Sequence, residues 1–224
     1  DVIDFSMATS ACVKVEQWEQ AFMLLDRIHM VGVELDAISL NVVISACEKG
    51  GQWERALLLL EEMKDAGVTP DLISFCAAIA ACEKGKQWEQ AVSLLQKMQT
   101  SGIQFDRISL NSGISACEKC VQWERALSFF YKMETLRTSH DVITFNAAIS
   151  ACEQDGVWRR ALLLFSSLQD VGITPNIISF NGAISACERG ERWERALSLL
   201  HNIEEAGMTI DMISFNAAIS ACER

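Results

Sequence analysis

Two side-chain types recur along this chain at an interval regular enough to organise chemistry. Cysteine occupies Cys12, Cys47, Cys82, Cys117, Cys152, Cys187 and Cys222, each 35 residues after the one before. An amide occupies Asn41, Asn111, Asn146, Asn181 and Asn216 with the same interval, and Ser6 and Cys76 hold the two remaining places in that row. Thiols can ligate metal, crosslink or attack as nucleophiles, whereas an amide offers a donor and an acceptor side by side and suits recognition. The cysteines lack the short CxxC-type spacing of a zinc site, and Cys76 and Cys120, which stand off the row, have no Cys or His companion. His29, His140 and His201 ignore the interval and belong to no nucleophile motif. A glycine-rich phosphate loop and an HExxH pair are both missing from the sequence. The chemistry on offer is binding, with no catalysis, cofactor or metal expected.

The elements that carry these rows are set by the same interval. Trp18, Trp53, Trp88, Trp123, Trp158 and Trp193 keep it too, so the chain divides into repeats 2–36, 37–71, 72–106, 107–141, 142–176 and 177–211, with a partial repeat at 212–224. In repeat 37–71, Leu40, Val43, Ile44 and Cys47 fall at i, i+3, i+4 and i+7, which predicts a first helix. After Gly50 and Gly51, the stripe Trp53, Ala56, Leu57, Leu60 and Met63 predicts a second, with Glu54, Arg55, Glu61, Glu62 and Lys64 between its members. Gly67 suits the left-handed residue that closes a helix, and Asp71 suits the N-cap of the next one, as Asp36, Asp106, Asp141, Asn176 and Asp211 do elsewhere. No segment alternates like a strand. A lone pair of such helices cannot bury its apolar faces, so neighbouring pairs must stack. The expected fold is an all-α, right-handed α-solenoid of antiparallel helix pairs, one segment over residues 1–224, read as an excerpt of a longer array.

Stacking assigns the Trp and Cys rows to packing. Equivalent points on adjacent helices lie about 8–10 Å apart, beyond the ~7 Å limit for a disulfide, so the seven in-register cysteines are expected to be buried and reduced. Nine thiols without a disulfide framework suit a reducing compartment. Arg137 stands where Gly32, Gly67, Gly102, Gly172 and Gly207 close the other second helices, which predicts one irregular turn. No apolar run is long enough to cross a bilayer, so no membrane insertion is expected.

The first helix has another ordered face. Ile38, Asn41, Ser45 and Glu48 stand at i, i+3, i+7 and i+10, opposite the core stripe. The isoleucine recurs as Ile3, Ile38, Ile73, Ile108, Ile143, Ile178 and Ile213. Two readings account for this constancy: recent duplication that left the copies alike everywhere, or a face kept for binding.

The run from Ile38 to Gly50, followed by Trp53-Glu54-Arg55-Ala56-Leu57 and closed by Met63, Gly67, Pro70 and Asp71, resembles the P-type pentatricopeptide repeat, and the likeness extends over essentially the whole chain. The tetratricopeptide repeat runs at about 34 residues and places its Trp early in the first helix, an order not found here. The resemblance implies binding of single-stranded RNA, one base per repeat, along the inner groove. It assigns base selection to Ser6 with Asp36, Asn41 with Asp71, Cys76 with Asp106, Asn111 with Asp141, Asn146 with Asn176, and Asn181 with Asp211, Asn216 awaiting a partner. The isoleucine row would flank the bases, and Lys14, Lys49, Lys84, Lys119, Arg189 and Arg224 would meet phosphates, with Gln154 interrupting that row. The implied site is 5′-G-U-x-U-Y-U-3′. The family's usual compartment is the chloroplast or mitochondrion. Against this stand a formal charge of −11 and a row of acids at Glu48, Glu83, Glu118, Glu153, Glu188 and Glu223 in the same groove, each able to pair with a basic residue of an adjacent repeat. The acidic balance keeps open a second expectation, a scaffolding subunit whose concave face cradles protein subunits of a larger assembly.

Overall fold

A computed structural model describes residues 2–14, 17–32, 35–153 and 157–223, excluding the side chains of Val2, Ile3 and His29; Gln154 and Arg224 also lie outside the described residues. The regular structure there is helical throughout: α1 (Val2–Lys14), α2 (Trp18–Val31), α3 (Ala37–Gly50), α4 (Trp53–Asp65), α5 (Leu72–Lys84), α6 (Trp88–Thr100), α7 (Arg107–Lys119), α8 (Trp123–Thr135), α9 (Val142–Glu153), α10 (Trp158–Asp170), α11 (Ile177–Arg189), α12 (Trp193–Glu205) and α13 (Met212–Glu223). Odd-numbered helices are the first helices of the repeats and even-numbered helices the second. None is long and apolar enough to cross a membrane.

The chain forms two compact units, residues 1–116 and 117–224. In the first, α3 packs between α1 and α5 and also meets α2 and α4, while α5 meets α6. In the second, α11 packs between α9 and α13 and meets α10 and α12. Each unit is thus a two-layer stack of helix pairs, the α-solenoid class that the repeat demanded.

The core is the stripe read from the sequence. In α3, Val43, Ile44, Ala46 and Cys47 are wholly buried, and Ala56 and Met63 of α4 close over them. Phe145, Ile149 and Cys152 of α9 with Ala161 and Leu168 of α10 repeat the arrangement. Each large aliphatic side chain so buried contributes about 1.5–3 kcal/mol. The small residues between them let the first helices approach one another.

Two expectations need correction. Five of the seven in-register cysteines are buried, but Cys12 is half-buried and Cys222 exposed, because α1 packs only on α3 in its layer and α13 only on α11. Burial drives the Cys47, Cys82 and Cys117 thiols up to about 12, and those of Cys152 and Cys187 to about 11, leaving them protonated and inert. The tryptophans pack as wedges between helices: Trp18, Trp53, Trp88, Trp123 and Trp158 are half-buried and Trp193 is 50% exposed. Trp53 lies so close to Gly85 that a Cβ there would sit 2.5 Å from its Cδ1, and Trp18 and Trp158 press on Gly50 and Gly190 in the same way. Finally, the turn at Arg137 is regular. Its φ of 54° matches the left-handed glycines, and the Thr138 N–H reaches the Met133 carbonyl at 2.9 Å as the Val68 N–H reaches Met63 at 2.8 Å. The turn keeps its shape by holding a non-glycine residue in a strained conformation.

Candidate functional site

The last residue of each repeat begins the site because it caps the next first helix. Asp36 accepts the Ser39 N–H at 2.8 Å, Asp71 the Ser74 N–H at 2.9 Å, Asp106 the Ser109 N–H at 2.8 Å and Asp141 the Thr144 N–H at 2.9 Å. Asn176 accepts from Ser179 at 3.0 Å and Asp211 from Ser214 at 2.8 Å. At Asp71 and Asn176 the hydroxyl three residues on accepts the cap residue's own N–H, closing a reciprocal capping box. Capping thus places the last residue of one repeat beside the first helix of the next.

That position brings the side chains paired by the sequence into contact. Asn41 Nδ2 donates to the Asp71 carboxylate at 3.2 and 3.3 Å, Asn146 Nδ2 to Asn176 Oδ1 at 3.2 Å, and Asn181 Nδ2 to Asp211 Oδ2 at 2.9 Å. Cys76 donates its thiol to Asp106 Oδ1 at 3.7 Å, and burial, then the Asp106 charge, raise that thiol to about 12. Ser6 is linked through its hydroxyl to that of Ser39 at 2.6 Å. Asn111 and Asp141 belong to different units, and Asn216 is exposed.

A third partner escaped the sequence reading. Ser39, Ser74, Ser109, Thr144, Ser179 and Ser214 are wholly buried, three residues after each cap. The hydroxyls of Ser74 and Ser179 donate to Asn41 Oδ1 and Asn146 Oδ1, both at 2.6 Å, and Ser214 donates likewise to Asn181. The Asp71 carboxylate can only accept, and Asn176 Oδ1 already accepts the Ser179 N–H, so each cap takes Nδ2 of its amide, Oδ1 faces the hydroxyl, and the hydroxyl donates to it. The signal was present as an invariant Ser or Thr at cap plus three, which reads as ordinary capping until the neighbouring repeat's amide is brought against it. Burial works to raise the Asp71 carboxyl, but the Ser74 N–H and hydroxyl and the Asn41 amide outweigh it and hold the group below its ordinary 3.8. Asp36 and Asp211 are also held low, chiefly by Ser39 and Ser214.

The apolar and charged rows of the first helices are laid out around these pairs. Ile38, Ile73, Ile108, Ile143, Ile178 and Ile213 are 59–68% exposed despite their size. In the first unit an open cleft of about 420 Å³ brings together Ile73, Cys76, Asp106 and Ile108 with Glu48 and Lys84. Lys84 Nζ lies 3.6 Å from Glu48 Oε1, the cross-repeat pairing anticipated for the acidic row. Lys14, Lys49, Lys119 and Arg189 are exposed.

The acidic row is not uniform. Glu153 is raised to about 7, first by burial and then by the charge of Glu118, against the pull of Arg189 and a hydrogen bond from Ser150. Ser150 also bonds Glu118 at 3.0 Å. The burial has a local cause: a Cβ on Gly182 would lie 3.1 Å from Glu153 Oε1 and 2.9 Å from Ile149 Cγ2, so α11 can close on this carboxylate only where it lacks a side chain. Among the described residues no group of His, Cys, Asp and Glu could hold a metal ion.

Models of three descriptions match the chain: PPR repeat family over residues 35–84, pentatricopeptide repeat domain over 93–155 and 130–192, and PPR repeat over 73–103 and 178–208. Among solved structures, the pentatricopeptide repeat protein PPR10 from maize superimposes with a TM-score of 0.76 at 23% identity, over 99% of this chain and 32% of that one. The same maize protein in complex with an 18-nt psaJ RNA element gives a TM-score of 0.60 at 22% identity, over 98% and 36%. The PPR domain of protein-only RNase P 1 from Arabidopsis thaliana, in complex with tRNA, gives 0.66 at 16% identity, over 76% and 90%. The chain spans about a third of the length of the maize protein, and these likenesses establish the fold. No curated protein matches the chain.

Proposed function

Since the chain belongs to the pentatricopeptide repeat family, we propose that it binds single-stranded RNA along its first-helix face, one base per repeat. The observation that carries this reading is the amide–carboxylate pair held between exposed isoleucines, seen at Asn41 with Asp71 and at Asn181 with Asp211. The Ser hydroxyl and the cap residue each take one of the amide's hydrogen-bonding groups, which holds the amide in one orientation beside the isoleucines. Isoleucines on either side supply apolar surface to a planar ring. The solved maize and Arabidopsis relatives in complex with RNA support the choice of ligand.

The proposed register is 5′-G-U-x-U-Y-U-3′, with Ser6 and Asp36 at the guanine, uracil at Asn41, Asn111 and Asn181 with their aspartates, and cytosine favoured at Asn146 with Asn176. The base at Cys76 stays open, because a thiol committed to Asp106 is a weak reader. Lys14, Lys49, Lys84, Lys119 and Arg189 take the phosphates, in a plastid or mitochondrial setting. Titration at low salt of a longer strand carrying that hexamer tests the reading. Binding should weaken steeply with added salt, and changing Glu83, Glu118 and Glu153 to Gln should strengthen it by removing charge that opposes phosphate. No binding before or after the Glu changes would defeat it.

A further inference from the structure

The second-helix layer of the second unit carries a groove that the RNA reading does not use. It runs between α10 and α12, measures about 490 Å³ and is floored by Leu162, Phe165 and Leu199, with Trp158, Arg159 and Arg195 at one end. Leu163 at its edge is 67% exposed. Large aliphatic side chains left in water on a helix face are expected where a partner covers them.

The corresponding groove of the first unit, between α4 and α6, measures about 170 Å³. There Lys97 Nζ meets Glu61 Oε1 at 3.3 Å and straps the two helices together. Three repeats later, the residues in those positions are Ser166 and Asn202, which cannot form an ion pair, and the groove stands open. Its charge also departs from the rest of the chain. Arg159 replaces the glutamate found at Glu19, Glu54, Glu89, Glu124 and Glu194, while Arg195, a type shared with Arg55, Arg125 and Arg160, stands where the narrower groove has Gln90. Arg159 and Arg192 both lie over the Trp158 ring, at 5.1 and 4.9 Å, concentrating positive charge at that end. In a chain of formal charge −11, the lining of this groove holds two arginines and no acid.

We propose that the α10/α12 groove docks an amphipathic helical segment of a partner protein, with aliphatic side chains in the groove and carboxylates facing Arg159 and Arg195. The lining extends from Trp158 to Gln169 along α10, a length of about 16 Å at the helical rise, which matches about three turns of a bound helix. The cationic end selects an acidic partner and excludes a basic one.

The test uses the whole chain and two labelled peptides of about 14 residues, each with leucines along one helical face and either Glu or Lys elsewhere. The Glu peptide should bind saturably and the Lys peptide at least about tenfold more weakly. Restoring the strap with Ser166→Glu and Asn202→Lys should remove Glu-peptide binding, and Leu163→Asp, at an exposed position, should weaken it without disturbing the fold measured by circular dichroism. RNA should not compete. Failure of the Glu peptide to saturate, equal affinity for both, unchanged binding by the strapped variant, or self-association of the chain through this groove would overturn the proposal. The outcome is independent of whether RNA binds the other layer.

Discussion

Changing Glu153 to Gln isolates the one acid of the groove that the fold holds well above its ordinary pKa. The group moves from 4.5 to about 7 in the folded chain, driven by burial under Gly182 and by the Glu118 charge. Below pH 4.5 the folded and unfolded chains both carry the proton and the group is neutral to stability. As pH rises toward 7 the unfolded chain releases the proton while the folded chain keeps it, so stability falls across that window and stays lower above it. A shift of this size corresponds to about 3 kcal/mol, reduced to about 2 kcal/mol for a side chain that keeps some contact with water. Glutamine preserves the shape and can still take the Ser150 hydroxyl, but has no proton to lose. Urea unfolding of both proteins at pH 4 and pH 8 should give nearly equal midpoints at the lower pH and a more stable variant at the higher. An equal difference at both values would refute the assignment of burial as the cause.

Val121, a β-branched residue held at φ 62°, should become Gly with a gain of about 1–2 kcal/mol in stability, because the turn N–H to the Glu118 carbonyl at 3.0 Å needs no side chain; urea melts report it. Gly190→Ala should do the reverse and cost about 1–3 kcal/mol in the same assay, since the new Cβ would stand 2.6 Å from Trp158 Cγ although φ there suits any residue. A polar thiol reagent should label Cys222 fast and Cys12 at an intermediate rate, with Cys47, Cys82, Cys117, Cys152 and Cys187 modified only as the chain unfolds; mass spectrometry of the labelled peptides reads the order.

Periodicity made the helices, their pairing and the core stripe legible, because a 35-residue interval repeated without a slip leaves few arrangements that bury Leu40, Ile44 and Cys47 together. The amide and cap rows were legible as rows, and their pairing came from the family resemblance. What could not be read was the contact that joins them. Ser74 lies 33 residues from Asn41, and only the stacking of α5 on α3 turns a capping hydroxyl into the donor that orients an amide in the previous repeat. Helical spacing specified the tryptophans' face but not their depth, and Trp53 lies at a seam where glycine leaves room for its ring. Arg137 misled because cooperative turn hydrogen bonds can hold a residue in a conformation its own preference opposes. The environment of Glu153 depends on Gly182, which stands where the other repeats carry Met7, Val42, Ala77, Ser112, Ala147 and Ala217.

The claim of one base per repeat is tested most directly at the repeat whose cap is an amide. Asn146 faces Asn176, whereas Asn41 and Asn181 face aspartates, so Asn176→Asp converts one reader into the other type while preserving the cap to Ser179. The measurement is competition at low salt between two strands that carry the hexamer and differ only in having cytosine or uracil at its fifth base. The account predicts that the unaltered chain favours the cytosine strand and that the Asn176→Asp chain favours the uracil strand, with preferences at the other five positions unchanged. An identical preference in both proteins, or a change at any other base, would contradict it.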